Sequence, residues 1–374
     1  MKKNLILILF MLLPALCFPQ NNNIDKIRQI IFPNIPDFFT LKCDLHQHTA
    51  FSDGHVWPTI RVTEALKDNL DAIAVTEHIE YQPHEHDIPH PDRNRAYEIA
   101  LKAAKDKIII IPGSEITRDM PPGHANAIFL QDVNKLLVDD PVDAFREAKE
   151  QGAFIFWNHP NWTSQRKDGI ATLTDMHHML IKEGLLQGIE VVNEFTYSDE
   201  ALQIALDNDL TIMGTSDIHG IIDWEYNVPA GGHRPITLVF ATEKSAAAIQ
   251  EGLEQKRTVV WFNNLLIGRS EFLLPLLNAC VHIKNAKYQN KRIILNVELE
   301  NKSSTEFLLK NESKYTFHNS ANVIKLKPHS TKKLEIKTVE IKDHITLEFS
   351  VLSAVNAPNT HPKIQYKINT SSTD

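Results

Sequence analysis

The 374-residue chain predicts an α/β fold, with strands alternating with helices and a separate β-rich tail after them. Three observations carry this expectation. From Leu41 onward, short apolar runs alternate with helix-like segments, the pattern of parallel strands joined by crossover helices. The runs are near-continuous in apolar residues, as strands covered on both faces should be. After Arg269 the runs become short and alternate apolar with polar residues, as at 292–299, 333–337 and 345–351, which suits a small β-sandwich.

Taken in order, residues 1–19 carry Lys2 and Lys3, an apolar run from Leu5 to Leu16, and then Cys17-Phe18-Pro19. This reads as a secretory signal peptide, because basic residues precede a run too short to span a bilayer comfortably. A lipoprotein reading through Cys17 is disfavoured by the large Leu16 before it. The expected mature protein is periplasmic or secreted, with no integral membrane segment. Residues 20–40 form a lead-in, 41–275 the α/β unit and 276–374 the β-rich domain. Expected helices are 59–67, 94–105, 142–150, 174–182, 200–208 and 244–254. Pro141 after Asp139-Asp140 and Ser198-Asp199-Glu200 mark two helix starts.

A composition of 43% apolar and 23% charged residues is ordinary globular material, so no disordered or fibrous class applies. A formal net charge of −8 argues against a nucleic-acid partner, since polyanion binders present basic surfaces. Cys43 and Cys280 are too few for a disulfide framework, although a single bridge between them is conceivable. No Gly-x-Ser-x-Gly elbow and no glycine-rich phosphate loop with lysine occurs, which removes the serine-hydrolase and nucleotide-triphosphate mechanisms.

The functional signal lies at the ends of the apolar runs. Asp44-Leu45-His46-Gln47-His48 places two histidines on one face of an extended segment, and Ser52-Asp53-Gly54 turns a carboxylate back towards them. The next run leads into Thr76-Glu77-His78 and the one after into Gly113-Ser114-Glu115. His124 stands alone before 125–130. Two further runs end in Asn158-His159-Pro160 and Ser216-Asp217-Ile218-His219. In a barrel of parallel strands the carboxyl ends open on one face, so these residues would converge there. Asn193-Glu194 belongs to the same face. Two long loops, 81–95 and 161–172, add Tyr81, His84, His86, His90, Trp162, Arg166 and Lys167.

With these motifs the chain, over about residues 40–270, resembles the polymerase and histidinol phosphatase (PHP) superfamily of metal-dependent phosphoesterases. The resemblance implies a distorted seven-stranded (β/α) barrel and three divalent metal ions, Mn, Fe or Zn. It assigns His46, His48, Glu115 and Asp217 to one ion, Glu115, His124 and His159 to a second, and Asp53, His78 and His219 to a third. All nine positions are filled, whereas a non-catalytic surface protein derived from such a barrel would show losses. Catalytic roles fall on Glu115, Asp217 and His219, with Arg95 as a cationic contact for phosphate and Arg118, Arg166 and Arg234 as further cations near the face. The expected activity is a secreted phosphodiesterase acting on a small phosphate ester through water activated by the metals. A phosphomonoesterase of histidinol-phosphatase type is the alternative.

Overall fold

The structure, a computed structural model, describes residues 28–288 and 292–372. The signal-peptide expectation for 1–19, with Cys17, lies outside them. Strand β1 (Phe39–Asp44) has five consecutive buried residues and pairs in parallel with β2 (Ala72–Val75), which pairs in parallel with β3 (Ile109–Ile116). Next come β4 (Ala125–Ile128), antiparallel to both neighbours, then β5 (Phe154–Trp157) and β6 (Gly188–Asn193). A short β7 (Thr196–Tyr197) folds back on β6, and β8 (Thr211–Thr215) runs parallel to β6 on its other edge. The all-parallel expectation therefore fails at β4. Only a few residues separate β3 from β4, too few for a crossover helix, so the chain must turn back.

β1, β2, β3, β4, β5, β6 and β8 make the seven staves of the distorted barrel. No backbone ladder joins β8 to β1 along their length. The ring closes just past the strand ends, where His48 N–H donates to Ile218 O at 3.1 Å and Asp217 N–H donates to His46 O at 3.0 Å. The seam between the first and last staves thus runs through four ligand positions or their neighbours. On its other side β1 pairs with β9 (Ile236–Ala241), which continues into β10 (Thr258–Phe262) and β11 (Leu265–Gly268), all antiparallel. Gly214 on β8 allows β10 to approach, since a Cβ there would sit 2.2 Å from Val260 Cγ1.

The helices fall close to their expected places: α1 (Pro58–Lys67), α2 (Arg95–Ala104), α3 (Pro141–Glu150), α4 (Asp175–Lys182), α5 (Asp199–Asp207) and α6 (Ala246–Glu254). Side chains cap four of them. Asp140 accepts from Val142 and Asp143 N–H, Thr174 forms a capping box with His177, and Ser198 and Ser245 accept at the starts of α5 and α6. Besides a single turn at Ile222–Glu225, a further helix, α7 (Ser270–Cys280), crosses the expected boundary at 275/276. Its apolar density resembles a strand run, and Pro275 within it obscured its helical period. Among the described residues no helix is long and apolar enough to cross a membrane.

The tail forms two sheets. One contains Val281–Tyr288, Ile294–Asn301 and Thr331–Lys337, the other Phe307–Asn311, His344–Val351 and Lys363–Asn369. Every second residue of Ile294–Asn301 is buried, as one inward face requires. Leu295, Val297, Phe307 and Phe349 belong to a core that continues through α7 to Trp261 and Leu266 of the barrel. Phe272, Leu273, Leu276 and Leu277 bury one face of α7. At about 1.5–3 kcal/mol for each large side chain, that helix anchors the tail to the barrel. Ala354–Val355 of the tail also pairs with Leu266–Ile267 of β11. Cys43 and Cys280 are both buried and free, so the possible bridge between them is not formed.

Candidate metal centre

The barrel mouth gathers all nine predicted ligand positions. His46 Nε2 and His48 Nε2 lie 3.0 Å apart, and each is 3.1 Å from Asp217 Oδ1. Asp53 is 3.3 Å from His78 Nε2 through one oxygen and 3.2 Å from His219 Nε2 through the other. Glu115 stands between these groups. Its Oε1 faces His124 Nδ1 at 3.0 Å and His159 Nε2 at 3.3 Å, while its Oε2 faces His48 Nε2 at 3.4 Å and His78 Nδ1 at 2.8 Å. These separations are near the spacing of about 3.4 Å expected between ligand atoms around a tetrahedral ion with bonds of about 2.1 Å.

Two features of the donor set fit divalent metals. Glu115 Oε2, Asp217 Oδ1 and His159 Nδ1 are buried atoms without a hydrogen bond, although histidine nitrogens surround the two carboxylate oxygens. Buried polar atoms of this kind need a partner. Further, four of the six histidines have their Nδ1 occupied by a group outside the ligand set or by backbone. His46 Nδ1 lies 2.9 Å from Glu190, His48 Nδ1 3.3 Å from Ser52 Oγ, His78 Nδ1 2.7 Å from Thr117 Oγ1, and His219 Nδ1 2.8 Å from Asp217 O. A proton on Nδ1 leaves the Nε2 lone pair facing the cluster, as ligation demands. Mixed histidine and carboxylate donors suit Mn, Fe or Zn and do not choose among them.

The charges are strongly coupled. Burial disfavours an ionised Glu115, yet His78 and His46, with hydrogen bonds from His124 and His159, hold its carboxyl well below the usual range. Burial likewise opposes ionisation of Asp217, and His46 and His48 outweigh it. Asp53 is held low against burial by hydrogen bonds from His219 and His78. Burial opposes the charge on His78, but Glu115 and Asp53 raise it to about 11; Asp53 and Asp217 raise His219 to about 9 against the same penalty. His48 goes the other way, pushed to about 3 by burial and by the positive charge of His78. Such a cluster trades protons for cations, so metal affinity here falls as pH falls.

Several residues that build the site were given no role from sequence. Glu190, fully buried in β6, holds His46 Nδ1 through Oε1, which also accepts from Thr215 Oγ1 at 2.5 Å. Its Oε2 accepts from His159 N–H at 2.7 Å and Asn193 Nδ2 at 2.8 Å. The signal was present as a lone acid inside the apolar run 189–192. Asn158 Nδ2 donates to Glu115 Oε1 at 2.8 Å. Arg61 of α1, with no exposed surface, donates to His48 O, Ile218 O, His219 O and Gly220 O at 2.6–3.0 Å. Asp44 is not part of the ligand cluster. It accepts from Ser216 and Arg234 and ties the first stave to the last.

The cationic contacts expected for phosphate are not at the site. Arg95 lies at the start of α2, exposed and paired with Glu98 at 3.3 Å, outside the cavity lining. A helix start on the loop's far side carries it away from the mouth. Arg118 pairs with Glu80, Arg166 bonds to Thr172 O, and Arg234 is buried between Asp44 and Asp68. His90 bonds to Gln82 inside its own loop, and neither it nor His84 or His86 lines the cavity. That cavity, about 240 Å³, is lined by seven of the nine ligand positions together with Tyr81, Thr117, Trp162, Asn193 and Glu194. His46 and His48 are fully buried behind this lining, each 3.1 Å from Asp217 Oδ1.

Residues 281–367 match a family model described as an Ig-like domain, DUF5001. No curated protein matches the chain. Among solved structures, a two-domain protein from Bacteroides vulgatus containing a predicted PHP-like metal-dependent phosphoesterase is 42% identical, over 91% of this chain and 98% of that one, with a TM-score of 0.85. A protein from Bifidobacterium adolescentis described as a metal-dependent phosphoesterase is 17% identical over 49% of this chain and 90% of that one, with a TM-score of 0.37. On the strength of the first likeness, which spans both the barrel and the Ig-like tail, the chain belongs to the PHP-type metal-dependent phosphoesterases.

Proposed function

We propose that this phosphoesterase is an exported phosphodiesterase working with three divalent ions. The nine ligand positions support three sites: His46, His48, Glu115 and Asp217; Glu115, His124 and His159; Asp53, His78 and His219. The N-terminal sequence pattern supports export to the periplasm or beyond. Divalent ions held there would supply an acidified water and neutralise charge growing on the phosphoryl oxygens. The chain's own contribution is placement. Glu190, Ser52 and Thr117 set the histidine tautomers, and Glu115 fixes the distance between neighbouring sites. In the reaction, water oxygen bonds to phosphorus as the P–O bond to the leaving alcohol breaks, and a proton from water ends on that alcohol.

The observation that carries the diester reading is the cavity lining, which contains no lysine or arginine. A monoester brings a dianionic terminal phosphate that calls for several cationic contacts beyond the metals. A diester brings one negative charge and a second organic group, for which Tyr81 and Trp162 supply surface. The test is turnover in Mn-containing buffer with an EDTA blank, alongside elemental analysis of protein purified without chelator. We expect about three metal equivalents and a kcat/KM for bis(p-nitrophenyl) phosphate above that for p-nitrophenyl phosphate. Preference for the monoester would reverse the assignment, and one metal or fewer per chain would end the three-ion reading.

A further inference from the structure

The cavity lining can be divided by what each side chain is already doing. Seven residues are ligand positions. Thr117 Oγ1 lies 2.7 Å from His78 Nδ1, and Asn193 Nδ2 donates to Glu190 at 2.8 Å and Asp217 at 3.1 Å, so both serve the ligand set. Tyr81, Trp162 and Glu194 remain to meet whatever is attached to phosphorus. Tyr81 and Trp162 are 52% and 44% exposed. They stand 5.8 Å from the His78 ring and 5.1 Å from the His159 ring, beside two of the three ligand groups. The Glu194 carboxylate has no hydrogen bond or ion pair among the described residues. By contrast Asp53, Glu115 and Asp217 all face histidines. Glu194 is also held at φ 49°, in the left-handed region, with its N–H donating to Thr215 O at 3.3 Å. A non-glycine residue kept there by its neighbours is a common mark of a working position.

These three side chains offer two π faces, one full negative charge and no cation. A second phosphate or a carboxylate on the substrate would be repelled. A sugar would want several donors as well as acceptors, and the free lining has one carboxylate and one phenol. A positively charged amine satisfies the whole set, because it is attracted to an aromatic face and to a carboxylate at once. We propose that the site takes phosphodiesters of an amino alcohol, with the ammonium group seated between Trp162, Tyr81 and Glu194. This rests on the phosphodiesterase reading above. The chemistry is shared by soluble glycerophosphodiesters and by phospholipid headgroups.

The test uses the metal-loaded full chain and two chromogenic diesters, p-nitrophenyl phosphocholine and its neutral counterpart p-nitrophenyl 3,3-dimethylbutyl phosphate, which has carbon in place of nitrogen. We expect kcat/KM to favour the charged ester at least tenfold, and Glu194→Gln and Trp162→Ala each to cut that ratio at least fivefold. Equal rates in the wild type, or a ratio that neither variant moves, would overturn the proposal. A second arm reads binding alone. In calorimetric titrations phosphocholine should bind at least tenfold tighter than 3,3-dimethylbutyl phosphate, with the difference lost in Glu194→Gln, and equal affinities would count against it. If bis(p-nitrophenyl) phosphate is cut without an ammonium preference, this proposal falls and the phosphodiesterase stands. If no diester is cut while the binding preference persists, the ammonium site stands and the phosphodiesterase falls. Where diesters are cut, glycerophosphocholine and phosphatidylcholine vesicles assign the source of the headgroup, and cleavage of neither would overturn the proposal.

Discussion

At the scale of single residues, the centre is a set of histidines whose tautomers are chosen from behind. In the proposed centre, Glu115 and Glu190 would show the difference between holding a metal and holding its ligand. Glu115 lies within 3.7 Å of five histidines through its two oxygens, so in the three-ion reading its loss would loosen more than one ion position. Glu190 touches no metal position itself but fixes His46 and the backbone of His159. Removing a partner behind a ligand typically costs about 10–100-fold in metal affinity or activity. Glu115→Ala should therefore lower kcat/KM below a hundredth and reduce metal content, whereas Glu190→Gln should weaken metal affinity about 10–100-fold while activity returns at saturating metal. Competitive chelator titration and rates at several metal concentrations separate the two. Retention of a tenth of the activity with full metal content in Glu115→Ala would contradict its bridging place.

At the scale of elements, the barrel is shut by its loops. The tips of β1 and β8 carry His46, His48, Asp217 and His219, and they meet through two backbone hydrogen bonds beyond the strand ends. Arg61 from α1 clamps this seam by donating to four carbonyls on both tips while Glu64 balances its charge at 2.9 Å. Taking away one member of a buried ion pair costs about 3–5 kcal/mol, because the other is left uncompensated. Arg61→Ala should destabilise the protein by about that amount in urea unfolding. It should also weaken metal binding although Arg61 touches no ligand side chain. Arg61→Ala with wild-type stability and metal affinity would show that the seam holds without its clamp.

At the scale of the whole molecule, the barrel and the Ig-like tail share one core through α7, so the two units should unfold together. His233 lies near their junction, stacked 3.5 Å from Trp261 with its Nδ1–H donating to Arg234 O at 2.9 Å. Burial pushes His233 down to about 4 from an ordinary 6.5. The unfolded chain therefore binds the proton that the folded chain refuses, so stability is whole above pH 6.5 and declines as pH falls towards 4. From pH 7 to pH 5 the expected loss from this one group is about 2 kcal/mol. Unfolding free energies in EDTA at the two pH values, for wild type and His233→Phe, measure it. The variant should lose about that much less than the wild type, and an equal loss in both would remove His233 from the acid limb.

Most of the residues gathered at the mouth were legible because they stand just past the ends of apolar runs, and strand periodicity with a common carboxyl-end face requires such residues to meet; His124, ahead of its strand, and Asp53, in a turn, carried no such local mark. Two helix starts were legible for a similar local reason, at Asp140-Pro141 and at Ser198, where side chains cap the first turn; the caps at Thr174 and Ser245 came from the structure. What the sequence by itself determined about this protein is therefore which histidines and carboxylates meet at the barrel mouth, the order of staves and helices, and the change to a β-rich tail. Only the tertiary structure decided the reversal of β4, the closure of the ring past the ends of β1 and β8, and the helical state of 270–280. It also decided which charges reach the site. Arg95 and Glu194 are both polar residues near strand-end loops, and nothing in their neighbours distinguishes them. Arg95 turned out to face solvent from a helix start, and Glu194 to face the cavity. The orientation of a loop side chain depends on contacts between segments far apart in sequence, as Glu190 beneath His46 and Arg61 beneath the β1–β8 seam illustrate, and no local pattern encodes such contacts.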